Sequence, residues 1–236
     1  GSGFGSVANH PWRFLKVAPW LCGGFAYTRG NTIVLSQKHI DTLLSETSLS
    51  KRLDVSGALI VHEQIHSLQR SFPKKFEKLN TEYWDFVKGD VKSTESLVKN
   101  QVSNPDAPLA QWLIPRDTAR QYYWVRTLFR ETQGVSQMGK DFVERVYSVQ
   151  ETQGHFELML DQAGEPVQFA LSEFGEYANS FPVTRGIDHP NEIAAYMFAE
   201  VFRTELGANK GVYFANVSDA QKSNAMEFVE WLRVEM

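Results

Sequence analysis

The stretch from about Leu53 to Arg70 constrains this chain more than any other. Its apolar residues, Val55, Ala58, Leu59, Ile60, Val61, Ile65 and Leu68, recur at helical spacing and go most of the way round. A helix that is apolar on nearly every side is stable only in the middle of a domain, so the rest of the fold has to be built around it. With 236 residues, the chain is long enough for one large domain or two small ones with a well-buried core.

That same helix carries polar residues where they are costly. Residues 61–70 read V-H-E-Q-I-H-S-L-Q-R. On a helix, His62 and His66 project from one face, one turn apart. Unpartnered imidazoles in so apolar a helix would each cost about 1–3 kcal/mol, and a shared metal ion removes that cost. The spacing lets both rings reach a single Zn²⁺ at about 2.0–2.1 Å. Glu63 follows the first histidine and is placed to take a proton from a metal-activated water, which is the H-E-x-x-H arrangement.

A catalytic zinc takes three protein ligands and keeps one position open. The other histidines, His10, His39, His155 and His189, form no H-x-x-G-x-x-H continuation, because S-L-Q-R-S-F runs on from His66. A glutamate on a second buried helix is the better third ligand. D-H-P-N-E-I-A-A-Y-M-F-A-E at 188–200 offers Glu192 and, two turns on, Glu200. Glu192 is favoured: it sits one turn inside an otherwise apolar helix, and Ala194 and Ala195 let that helix approach the first closely. A carboxylate on such a face needs a partner, and a dication serves.

Elsewhere the patterning is mixed. Residues 4–23 read as an irregular arm pinned by the rings of Phe4, Trp12 and Trp20. Residues 24–35 suggest two short strands around R-G-N, or one bent strand, with Ser36 placed to cap a helix over 37–47. A further helix is predicted over about 74–88. Residues 89–119, with N-P-D-A-P at 104–108 and I-P-R-D at 114–117, read as loops and turns. From 121 to 172 short β-rich runs predict an antiparallel meander inserted between helical parts. Helices return over about 190–206, with Pro190 in the first turn, and from Ser218 to about Arg233. The expectation is a single α+β domain over residues 4–236, mainly helical, with residues 121–172 as a β-rich insert.

Several function classes are disfavoured. The formal charge is −4, and no run of Lys or Arg is long enough to track a nucleic acid. The densest basic patch, Lys74, Lys75 and Lys78, reads as a solvated helix face. No stretch approaches the roughly 20 apolar residues of a transmembrane span. Cys22 is the only cysteine, which excludes an internal disulfide, and no helix N-terminus is evident beside it to activate the thiol. A G-x-S-x-G elbow is also absent.

With H-E-Q-I-H at 62–66 and H-P-N-E-I-A-A at 189–195, the chain resembles a gluzincin, a zinc metallopeptidase of the thermolysin-like clan. It is also similar to a group of bacterial zincin-like proteins in which a G-N-T-I strand precedes the active helix and an N-P-D loop follows it; here these are residues 30–33 and 104–106. The resemblance implies His62, His66 and Glu192 as ligands of one zinc, Glu63 as general base, and a peptide or protein as substrate. It implies a small sheet against the active helix, whose edge strand, residues 31–35, would pair with an extended peptide. One position departs from the pattern: Tyr196 stands where many gluzincins carry an aspartate that orients a ligand histidine. An oxyanion stabiliser is expected as well, with His189 as first candidate and Tyr177, Arg185 and Tyr196 behind it. Gly1-Ser2-Gly3 looks like a cloning remnant. That start and the resemblance lean towards a secreted or periplasmic location, with the cytoplasm as the alternative. The competing functional class is a zincin-fold binding or regulatory module that keeps zinc but turns over little.

Overall fold

The computed structural model describes residues 9–102, 104–107, 111–116, 120–129, 141–207 and 211–236. The expected remnant at 1–3, Phe4 of the arm, Pro108 and Asp117 lie outside them.

The chain enters through β1 (Phe14–Val17), reaches β2 (Tyr27–Arg29) and turns at Gly30 into β3 (Thr32–Ser36). β3 lies in the middle of this three-stranded sheet, antiparallel to β2 and parallel to β1. Two expectations change here. The arm is not wholly irregular, because residues 14–17 form a strand. Residues 31–35 cannot offer an edge to a substrate, because β1 and β2 already pair with both sides of β3. Among the described residues the arm is tied down through polar contacts rather than through Trp12 and Trp20, which are exposed: His10 Nε2 lies 2.8 Å from Ser67 Oγ, and Gln64 Nε2 donates to His10 O at 3.3 Å.

Helix α1 (Gln37–Ser45) starts after Ser36 as expected, but the serine hydroxyl donates to Gly24 O instead of capping it. Wide π-type turns over Arg52–Gly57 lead into α2 (Ala58–Ser71), the central helix. The first turn of the expected helix is not buried, and Val55 is exposed. Pro73 opens α3 (Pro73–Lys78), which continues in wide turns to Tyr83. The helix expected to reach residue 88 stops there, and Val87–Lys88 forms β4.

Residues 89–119 hold more than loops: β5 (Val91–Lys92), α4 (Glu95–Asn100) and β6 (Trp112–Pro115). The meander follows as β7 (Gln121–Phe129), β8 (Phe142–Thr152), β9 (His155–Leu158) and β10 (Gln168–Ala170). Gln153 and Gly154 both have positive φ, the conformation of a two-residue hairpin turn whose twist suits the flanking strands. The strand order is β4-β6-β7-β8-β9-β5, with β10 also on β8. β4 and β5 stand at opposite ends of that order, yet only Gly89 and Asp90 separate them in the chain. The sheet must therefore curl round on itself. Leu97, Leu113, Trp124, Tyr147, Val149 and Leu158 pack together as one apolar cluster along it.

Residues of the opposite register, Val125 and Val146, join the larger core with α2, α6 (Pro190–Leu206) and α7 (Asp219–Glu235); the short α5 (Gly175–Ala178) precedes α6. α6 matches the expected bounds. Ala194 and Ala195 are fully buried, and α6 packs along α2 as small residues at those positions allow. The whole is a mixed helical and β architecture, consistent with an α+β class. Among the described residues no helix is long and apolar enough to cross a membrane.

Candidate metal centre

The α2–α6 packing brings three donor atoms together. His62 Nε2 and His66 Nε2 lie 3.1 Å apart, and Glu192 Oε2 is 3.3 Å from the first and 3.7 Å from the second. All three residues are buried. Ligand atoms at about 2.0–2.1 Å around a tetrahedral zinc stand about 3.3–3.4 Å from one another, so the observed spacings suit one such ion. Glu200, the alternative, takes no part; it pairs with Arg203 and is half-exposed.

Hydrogen bonding sets the ring orientation of His66. Gln69 Nε2 donates to Asn191 O at 2.8 Å, which turns its carbonyl oxygen to His66 Nδ1 at 2.9 Å. Nδ1 therefore carries a hydrogen, and in the neutral ring the Nε2 lone pair faces His62 and Glu192. His62 is held differently. Its Nδ1 has no hydrogen-bond partner among the described residues, and the ring of Tyr196 packs edge-on against it with centroids 4.4 Å apart. Where the resemblance implies an orienting carboxylate, this chain steers the imidazole by aromatic packing.

The electrostatics are those of a site that wants a cation. Burial would depress His66, but the Glu192 carboxylate beside it prevails and lifts it to about 9. Burial would raise Glu192; the charge on His66 and hydrogen bonds from both rings hold it well below the usual carboxylate range. Burial lowers His62. In the metal-free chain the Glu192 carboxylate thus faces, 3.7 Å away, an imidazole held towards its charged form, where a dication would offer the same attraction.

Glu63 is buried beside this triad, and burial pushes its carboxyl up to about 7, with His66 opposing. Thr28 Oγ1 on β2 is 2.9 Å from Glu63 Oε2 and 2.7 Å from Glu63 O. His189 caps α6: its Nδ1 accepts the N–H of Asn191 at 3.1 Å, which leaves the hydrogen of the neutral ring on Nε2. Of the other stabiliser candidates, the Tyr177 hydroxyl donates to Ile187 O at 2.7 Å and holds the approach to α6, while Arg185 is exposed.

Three groups had no functional role assigned from sequence. Asp106 lies within 4.8 Å of ligand atoms of both Glu63 and His66. It accepts the N–H of Thr28 at 2.8 Å and faces Arg70 at 3.4 Å. Asn104 Nδ2 donates to Glu192 Oε1 at 2.8 Å. Gly186 has a φ of 66°, and a Cβ there would come within 2.7 Å of both Glu192 Cβ and the Tyr196 ring. Only glycine lets the chain pass so close to the third ligand. The N-P-D run was visible as turn chemistry, but not what it touches, and Gly186 was not singled out from the sequence.

No known protein family, curated protein or solved structure matches the chain.

Proposed function

We propose that this protein is a zinc-dependent hydrolase of peptide bonds, a gluzincin-like metallopeptidase with a zincin-like core. The observation that supports this reading is the convergence of His62 Nε2, His66 Nε2 and Glu192 Oε2 at tetrahedral spacing, with a buried Glu63 on the next residue. The donor set, two imidazoles and a carboxylate, suits zinc. When bound, the metal supplies Lewis acidity at a substrate carbonyl and to water.

The chain's own residues supply the rest. Glu63, poised near neutrality, removes a proton from the attacking water and delivers it to the leaving amine nitrogen. Thr28 fixes the carboxyl that does this. His189, three residues before the third ligand and held at the start of α6 by its cap bond, is the proposed donor to the oxygen that gains negative charge. Glu63→Gln, loaded with zinc, is expected to lose hydrolysis of a peptide library while retaining wild-type metal content. Unchanged turnover in that variant would rule out the mechanism.

One observation favours a second reading, a zinc-retaining binding or regulatory module. The outward N–H and C=O of Thr28 on β2, the strand beside α2, are already taken by Asp106 and Arg70. A peptide cannot add to β2 at that point in the usual strand-to-strand manner. Zinc binding without chelator-sensitive cleavage of any peptide would favour the module.

A further inference from the structure

We infer that Asn104 is a positioning residue for the metal centre: it holds Oε1 of Glu192 so that a single carboxylate oxygen, Oε2, is presented to His62 and His66. The inference rests on the metal reading of the site and deepens it.

The orientation of the Asn104 amide follows from its neighbours. Asn104 Oδ1 receives the backbone N–H of Asp106 at 2.9 Å. A backbone N–H only donates, so the atom facing it is oxygen, and the amide NH₂ is the group 2.8 Å from Glu192 Oε1. The loop itself is clamped. Asp106 accepts from Thr28 N on β2, and Arg70, in the last turn of α2, donates to Pro105 O at 2.6 Å and to Thr28 O at 3.1 Å. Asn104 is thereby referenced to the same helix that carries both histidines, while its target stands on α6. The contact ties the third ligand to the first two through a neutral donor that adds no charge.

A glutamate's last torsion is soft, so an untied Glu192 would rotate and offer both oxygens. With Oε1 occupied, one oxygen is left to the ion, and positions stay open for water and substrate.

Asn104→Ser separates this role from the shaping of the loop. A serine hydroxyl can still accept the Asp106 N–H in a similar turn, but it is too short to reach Glu192. In chelator the variant is expected to stay folded and melt cooperatively, with a midpoint lowered by no more than about 10 °C for the one lost hydrogen bond. Zinc affinity, read by competition with a chromophoric chelator, is expected to fall about 10–100-fold. Cobalt(II) loaded into the variant is expected to show weaker visible absorption than in the wild type, as the carboxylate turns bidentate and coordination rises. Wild-type affinity and an unchanged cobalt spectrum in the variant would overturn the inference while leaving the metal reading intact. A variant that unfolds would overturn it too, by making Asn104 a fold residue. A wild-type chain that binds neither ion would sink the metal reading and this inference together.

Discussion

The two helices α2 and α6 and the curled sheet bury their surfaces by opposite rules. The sheet's own cluster is apolar throughout, built from Leu97, Leu113, Trp124, Tyr147, Val149 and Leu158. Along α2, by contrast, His62, Glu63, Gln64, His66, Ser67 and Gln69 are all buried. Burying that many polar groups in one helix costs free energy unless each finds a partner. Most do, within the protein: Gln69 with His66 and Asn191, Ser67 with His10, Glu63 with Thr28. His66 Nδ1 and Glu192 Oε1 have Gln69 and Asn104 as partners, but the two Nε2 atoms and Glu192 Oε2 face one another, which is a poor arrangement for stability and a good one for a cation. The sheet cluster carries stability, while α2 gives some of it up to gather polar groups against Glu192.

Breaking the sheet should therefore damage the fold and spare the site. Leu113→Ala opens a fully buried position in the apolar cluster and is expected to cost about 2–5 kcal/mol in denaturant unfolding, with zinc stoichiometry unchanged. Loss of zinc binding in a still-folded Leu113→Ala would erase the distinction between the regions.

At the site the reverse should hold. His189→Asn keeps an N-cap acceptor for α6 while removing the imidazole donor. Stability should fall by no more than about 1–2 kcal/mol, the cost of trimming one buried side chain that keeps its cap, whereas kcat for peptide cleavage should fall about 100–1,000-fold with KM little altered. A wild-type kcat would return His189 to a purely capping role.

A smaller effect, visible in pH, sharpens the boundary between the two regions. Asp188 lies where α6 meets the sheet: Thr127 on β7 donates to its carboxylate at 3.3 Å, and the charges of Glu192 on α6 and Glu144 on β8 act on it. Burial, then those two carboxylates, push it up to about 6 from an ordinary value of 3.8. The native chain thus binds this proton more tightly than the unfolded chain does. Its stabilising effect is fully present below about pH 4 and is lost as pH rises through about 6, a change of order 1–3 kcal/mol. Unfolding measured in chelator across that window should show the decline in the wild type and a flatter profile in Asp188→Asn. Equal slopes would remove Asp188 as its cause.

Much of this was legible in the sequence because periodicity carries it. The all-round apolar stretch gave α2, the two histidines four apart gave the shared face, and an acid inside an apolar helix with two alanines gave Glu192 over Glu200. The curl of the sheet was not legible. β4 and β5 are two-residue strands whose pairing depends on partners more than twenty residues away, and Pro115 disguised β6 as a turn. The parallel pairing of β1 with β3 has no local signal either. Asn104, Asp106 and Thr28 act through contacts spanning 88, 78 and 35 residues of chain, and turn chemistry alone does not say what a turn will touch. Tyr196 marked a departure at the right place; its packing against His62 needed the fold.

Zinc content after loading and desalting, measured by elemental analysis on the wild type and on His66→Ala in parallel, tests most directly whether α2 and α6 jointly grip one ion. The expected result is close to one zinc per wild-type chain and essentially none in the variant. A wild-type chain without metal, or equal metal in both, would contradict it.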